Sequence, residues 1–236
     1  MTIRILSKET LGDYNAREQD NLILIDKPPD WTSFDVVKKI RNIGRFRKVG
    51  HAGTLDPFAT GLLVLGTEKY TRRLQTVTAS DKVYEGVIVF GEERDTCDVT
   101  GKIVRTVRLD RIDPALVDQK VSDMTGALEQ VPPMYSARKI GGQRLYAMAR
   151  KGIEVAREPR PVFINAFRVT EYGDRSISFY IECSKGTYIR TVAHDLGQAC
   201  GYGAYLSSLR RVAVDGVDVT NALTIDEFQH FWKALN

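Results

Sequence analysis

One carboxylate in this chain stands where residue types and spacing suit chemistry. In Gly50-His51-Ala52-Gly53-Thr54-Leu55-Asp56-Pro57-Phe58-Ala59-Thr60-Gly61, glycines, threonines and a proline crowd around Asp56. Such residues favour tight turns that hold a side chain in one pose. Leu55, Phe58, Leu62 and Leu63 flank the acid, which predicts partly desolvated surroundings. A carboxylate so placed can act as a nucleophile or stabilise an electron-poor carbon. The plainer reading makes Asp56 the cap of a helix opening at Pro57, because proline is favoured in a first helical turn. The local residues leave both readings open.

A second candidate is Ser184-Lys185-Gly186-Thr187-Tyr188-Ile189-Arg190-Thr191. Arg190 falls in the first turn of an expected helix, close to its apolar stripe. A guanidinium buried there needs an anionic partner, since a lone buried charge is costly. Paired with Asp56 it would hold that carboxylate ionised and oriented; otherwise it is an exposed arginine on a solvated face. Two basic clusters complete the set. Lys38, Lys39, Arg41, Arg45, Arg47 and Lys48 precede the Asp56 segment with no acid among them. Arg138, Lys139, Arg144, Arg150 and Lys151 share a segment with Tyr135 and Tyr146. Cations interleaved with aromatic rings suit phosphates and unstacked bases, although either cluster alone would ordinarily be a solvated face.

Other chemistries lack their motifs. There is no GxxxxGK[ST] phosphate loop, no GxSxG elbow and no GxGxxG after a strand. Cys97, Cys183 and Cys200 are odd in number and far apart, and His51, His194 and His230 show no paired spacing with them. Neither a disulfide framework nor a zinc site is expected. His194 and Asp195 are adjacent and do not face each other on a helix, so they make a poor dyad. No cofactor is expected.

The elements that must position these residues can be read from periodicity and punctuation. Leu22-Ile23-Leu24-Ile25 predicts a short buried strand, and Pro28-Pro29-Asp30 a turn after it. A helix is expected from Thr32, with Asp35 completing a capping box and Val36, Val37, Ile40 and Ile43 as its apolar stripe. Residues 83–90 read as a buried strand. Asp113-Pro114 predicts a helix reaching about residue 120. Ile177, Phe179, Ile181 and Cys183 alternate with polar residues, the pattern of a half-buried strand. Ile189, Val192, Ala193 and Leu196 then mark a helix, with Thr187 as cap and Gly201-Tyr202-Gly203 as stop. A last helix starts at Thr224, with Glu227 three residues on, and buries Phe228, Phe231, Trp232 and Leu235. Strands and helices do not alternate regularly, which favours an α+β fold in one domain over residues 1–236.

Bulk composition agrees. The 236 residues are 43% hydrophobic and 27% charged, enough for a sizeable core and too apolar for disorder. The net charge of +4 is a weak hint of an acidic partner. With no signal-like N-terminus and no long apolar run, a cytoplasmic protein without a membrane span is expected.

The segment Gly50–Leu63 resembles the catalytic motif of the TruB-type tRNA pseudouridine synthases, and the likeness covers most of the chain. Leu24-Ile25-Asp26-Lys27-Pro28 resembles the family's entry motif, Lys82-Val83-Tyr84-Glu85-Gly86 its tyrosine strand, and Asp95–Gly101 the segment after that strand. Pro132–Ala137, Arg144-Leu145-Tyr146 and Ala149–Gly152 resemble its RNA-gripping insertion, here about residues 131–153, and Ser184–Arg190 its arginine motif. The resemblance implies a pseudouridine synthase fold, with a mixed, mainly antiparallel sheet flanked by helices and loops. It implies that Asp56 is the catalytic aspartate, that Tyr84 stacks on the flipped uracil, and that Arg190 pairs with Asp56. Tyr188 and Leu209 would complete an apolar wall, and His51 would enter the loop the base has left. Lys27, Asp98, Arg138, Arg144 and Arg150 would contact substrate. The implied partner is the T-arm of tRNA, with uridine 55 as target, and the protein is expected to be a monomer needing neither metal nor cofactor. Many members carry a C-terminal PUA domain; with about 17 residues after Val219, none is expected here.

Two other classes compete. A silent RNA-binding module would have no reason to keep Asp56, Tyr84 and Arg190 together. A nucleoside glycosidase would leave the basic insertion unexplained, and such enzymes usually use two carboxylates.

Overall fold

The computed structural model describes residues 4–13, 20–136, 139–149 and 151–235. In chain order the elements are β1 (Ile5–Leu6), β2 (Leu22–Lys27), α1 (Ser33–Gly44), β3 (Val49–Ala52), β4 (Thr60–Thr67), α2 (Leu74–Ala79) and β5 (Lys82–Phe90). They continue with β6 (Glu92–Arg94), β7 (Ile103–Thr106), α3 (Pro114–Asp123), β8 (Gly126–Gln130), β9 (Lys139–Ile140), β10 (Gln143–Arg144) and α4 (Leu145–Ala149). The chain closes with β11 (Arg160–Tyr172), β12 (Ser176–Cys183), α5 (Ile189–Ala199), β13 (Ala204–Val214), β14 (Val217–Asp218) and α6 (Ile225–Ala234). This is the α+β fold expected, with mostly antiparallel strand pairs. The chain forms two compact units: Met1–Tyr84 with Leu209–Asn236, and Glu85–Ser208.

In the first unit β2 lies between β1, which runs parallel to it, and β4, which runs antiparallel with Lys27 opposite Gly61 and Leu22 opposite Gly66. The run Leu-Ile-Leu-Ile does not alternate in polarity because both faces of β2 are covered. Ile23 and Ile25 pack with Val36, Val37 and Ile40 of α1 and with Phe228 and Trp232 of α6. Leu22 and Leu24 pack on the other side with Leu62, Val64 and Leu74. Fully burying such a side chain contributes about 1.5–3 kcal/mol. Both helices start as the sequence predicts. Thr32 and Asp35 form a reciprocal capping box on α1, and Thr224 and Glu227 another on α6.

The second unit is built on β12, which alternates buried and half-buried residues and pairs antiparallel with β11, setting Phe167 opposite Ile181. β8 pairs with the other edge of β11. α3 runs three residues further than expected, to Asp123, behind its Asp113 cap and Pro114. α5 buries Ile189, Val192, Ala193 and Leu196, and Gly201, at φ 74°, ends it with Gly203 as predicted. One detail differs. Thr187 does not cap α5; its hydroxyl donates to the Ser184 carbonyl at 2.9 Å, and Tyr188 holds the cap position without a side-chain bond. Strands β4, β11 and β13 are among those not anticipated.

β4 sets the terms for the glycines beside the candidate acid. Gly61 has φ 102°, and a Cβ there would lie 2.3 Å from the Arg211 carbonyl oxygen. Gly61→Ala is expected to lower stability by about 3 kcal/mol through strain and main-chain overlap. A urea midpoint unchanged from that of the unsubstituted protein would contradict this packing.

Candidate active site

Asp56 sits in the connection between β3 and β4, two strands paired antiparallel from Val49 opposite Thr67 to Ala52 opposite Val64. No helix opens at Pro57. The Ala59 amide donates to the Asp56 carbonyl at 3.1 Å, closing a turn, and Thr60 then enters β4. The capping alternative is thereby excluded: proline supplies its fixed φ to a turn instead.

The peptide groups on each side of Asp56 are pinned. The hydroxyl of Ser33, buried in the first turn of α1, accepts from the Leu55 amide at 2.9 Å and donates to the Leu55 carbonyl at 3.3 Å. The Pro57 carbonyl accepts from the Asp30 amide at 2.9 Å and from Lys27 Nζ at 3.0 Å. Lys27 also donates to the carbonyls of Pro28 at 2.8 Å and Trp31 at 2.6 Å. Its side chain is fully buried, so all three ammonium protons are taken by main chain. Lys27 was expected to contact substrate; the structure gives it the turn before α1 and the turn after Asp56. Burial pushes its pKa down to about 8, and Asp30, Asp56 and Asp35 act against that. Leu55 and Ala59 are buried anchors, while Asp56 itself is half-buried.

Arg190 belongs to the second unit and is only 4% exposed, so it is not a solvated surface arginine. Its guanidinium donates to the carbonyls of Tyr135 at 2.8 Å and Thr96 at 3.2 Å, and lies 3.4 Å from Asp98. The buried Asp98 carboxylate also accepts from the Thr96 hydroxyl at 2.8 Å and from the amide and hydroxyl of Thr100. Asp98 therefore serves as an acidic partner that the burial of Arg190 calls for. Tyr188, two residues earlier, has its main chain clasped by the buried Gln130, which accepts from its amide at 2.8 Å and donates to its carbonyl at 3.1 Å. Sequence reading missed Ser33 and Gln130, because each acts through main chain and neither lies in a patterned motif.

The remaining named residues are distributed as follows. Tyr84 is buried on β5 and Leu209 on β13. His51 lies on β3 beside a groove of about 440 Å³ that Lys48, Thr71, Leu74 and Gln75 also line. Arg138 and Arg150 lie outside the described residues, as does the side chain of Arg144, whose backbone is in β10. Lys38, Lys39, Arg41, Arg45, Arg47 and Lys48 are all exposed, and among the described residues none of them forms an ion pair. The carboxylate of Glu68 instead accepts from the amides of Arg47 at 2.6 Å and Lys48 at 3.3 Å. Among the described residues no helix is long and apolar enough to cross a membrane.

Comparison with known proteins adds an independent line. Residues 41–189 match the family model of the TruB family pseudouridylate synthase N-terminal domain, and residues 190–235 that of the tRNA pseudouridylate synthase B C-terminal domain. The chain is 43% identical to tRNA pseudouridine synthase B of Opitutus terrae, covering 90% of this chain and 88% of that one. With the protein of the same name from Chlorobaculum tepidum it shares 42%, over 95% and 91%. Among solved structures it is similar to a chain of a Cbf5-Nop10-Gar1 complex, with a TM-score of 0.72, 27% identity and 94% of this chain covered. The chain spans 59% of the length of that solved chain.

His51 gives a pH-dependent test of the geometry. Burial and the neighbouring Arg211 cation both disfavour the imidazolium, so its pKa falls below the ordinary 6.5. The imidazole is expected to be neutral at pH 7. As pH drops below 6.5 the unfolded chain takes the proton first, so this group progressively withdraws stability from the fold. An NMR titration of the His51 ring, assigned with a His51→Phe variant, checks it; a midpoint above 6.5 contradicts the buried setting.

Proposed function

The chain belongs to the TruB family of pseudouridylate synthases and isomerises uridine to pseudouridine, and on that premise we propose that it acts on the T-loop uridine at position 55 of tRNA, with Asp56 as the essential carboxylate. The isomerisation breaks the bond from N1 to C1′, turns the uracil and joins C5 to C1′. The C5 proton leaves to solvent and N1 gains one. Nothing is oxidised and no second substrate is consumed.

Each residue then has work suited to its type. Asp56 attacks C1′ or stabilises the electron-poor sugar carbon next to it. The observation that carries this role is the fixation of Leu55 and Pro57, which leaves the intervening acid little freedom but its own side-chain torsions. Arg190 supplies the countercharge for Asp56, held ready by Asp98. Tyr84 stacks on the flipped base, and Tyr188 and Leu209 wall the uracil from water while it turns. A base inside a folded loop must leave its stack, and His51, neutral, takes the vacated place.

The RNA is gripped electrostatically. Arg138, Arg144 and Arg150 of the 131–153 insertion hold one part of the T-arm. The unpaired cations at the end of α1 face phosphates at another, where Lys38, Arg41 and Arg45 fall at helical spacing along one stripe. The protein acts as a monomer in the cytoplasm.

Tritium release from tRNA labelled at uracil C5 tests the chemistry. Asp56→Asn is expected to abolish release while tRNA binding persists; equal release from both proteins would refute the role of Asp56. Replacing Lys38, Arg41 and Arg45 together by alanine is expected to weaken tRNA binding and flatten its dependence on log salt by roughly one to three units of slope. Arg144→Ala and Arg150→Ala should act in the same sense. A slope identical to that of the unsubstituted protein removes those residues from the interface.

A further inference from the structure

Arg211 belongs to none of the motifs that single out the site. It is 1% exposed and is the largest fully buried side chain among the described residues. Among the described residues it has no ion pair with a carboxylate. Its donors go to main chain instead: Nε to the Leu62 carbonyl at 2.7 Å, and a terminal nitrogen to the Gly53 carbonyl at 3.2 Å. Gly53 comes directly after β3 and Leu62 lies on β4, so these two carbonyls bracket the segment that carries Asp56. The backbone of residue 211 meets the same segment, paired in parallel with Gly61.

A buried guanidinium without a carboxylate is an expensive way to satisfy two carbonyls. What arginine offers in return is a rigid planar fork that reaches two acceptors at once, which the single nitrogen of lysine does less well. Ser33 fixes the connection at Leu55 and Lys27 fixes it at Pro57. Neither holds its ends. We propose that Arg211 is a positioning residue for Asp56: its guanidinium ties the two ends of the β3–β4 connection together, so that the carboxylate is presented to substrate in one pose. The inference rests on the reading of Asp56 as the reacting carboxylate.

The test is steady-state pseudouridine formation on full tRNA by Arg211→Met and Arg211→Lys, with tRNA affinity measured separately by filter binding. A loop whose ends are loosened misplaces the acid, and displacements of this kind cost on the order of 100-fold in rate. Arg211→Met is expected to lose about that much kcat, with tRNA affinity within roughly threefold of the unsubstituted protein, because the phosphate-facing surfaces are untouched. Arg211→Lys keeps the charge and most of the packing; it is expected to fold, to melt near the unsubstituted protein, and still to lose kcat. Faster amide exchange at 54–60 in that variant would place the loss in the loop.

Several outcomes would overturn the proposal. One is an Arg211→Lys enzyme with unchanged kcat. Another is a fall in affinity that matches the fall in rate. If both variants fail to fold, the residue holds the unit rather than the loop, and the proposal is equally lost. Turnover by Asp56→Asn would instead sink the underlying reading, and the two failures are thereby told apart.

Discussion

The pose of Asp56 depends on how little one peptide segment can move. A carboxylate is common and cheap to place on a surface, but a surface carboxylate samples many positions. Here the amide and carbonyl of Leu55 are both bound by the Ser33 hydroxyl, and the Pro57 carbonyl is bound by Lys27 and by the Asp30 amide. Net, a neutral hydrogen bond contributes about 0.5–1.5 kcal/mol, and one to a charged group about 1.5–3. Their value lies less in that sum than in where they act. Each removes a main-chain rotation on one side of Asp56, so in the proposed reaction the acid would act with its orientation entropy already removed.

The buried cations follow from the same need. Lys27, Arg190 and Arg211 are each under 5% exposed, and each directs donors to main-chain carbonyls. A carbonyl dipole satisfies an N–H without competing as a full negative charge. Among the described residues Arg190 alone of the three has an acidic neighbour at ion-pair distance, and that acid, Asp98, also accepts from Thr96 and Thr100. Positive charge is thus brought into the interior largely against main-chain dipoles. The cost is desolvation, visible in the lowered pKa of Lys27.

Much of the first unit was legible in the residues. The capping boxes at Thr32 and Thr224 announce α1 and α6, and the apolar run at 22–25 announces a strand covered on both faces. β12 was equally plain from its alternation. The Asp56 segment was visible as a place of interest but not as a hairpin connection, since Leu62-Leu63 reads as an apolar patch until a partner strand gives it a period. β11 escaped because bulges near Asn165 and Thr170 break the alternation that would reveal it. Arg211 and Gln130 escaped for a different reason: they bind main-chain atoms far away in sequence, and nothing in a residue's type records which distant carbonyl it will meet. The resemblance to the TruB family supplied the roles of Asp56, Tyr84 and Arg190; local physics alone had left the helix-cap reading of Asp56 open.

α1 joins the Asp56 segment and a cationic surface in one rigid element. At its first turn Ser33 reaches inward to Leu55, beside the acid. Along its buried face Val36, Val37 and Ile40 lock it to β2. Lys38, Arg41 and Arg45 run along the opposite face toward the C-terminal end, where the helix dipole favours positive charge and where Arg45, at φ 52°, closes the cap. A helix rises 1.5 Å per residue, so Ser33 and Arg45 are separated by roughly 18 Å of stiff rod. Phosphates engaged at the far end, as proposed, would therefore be referenced to the peptide that carries Asp56 through packed side chains. A change in the inner face of α1, such as loss of volume at Ile40, would disturb both ends at once, whereas a change on its outer face should reach only the cationic surface.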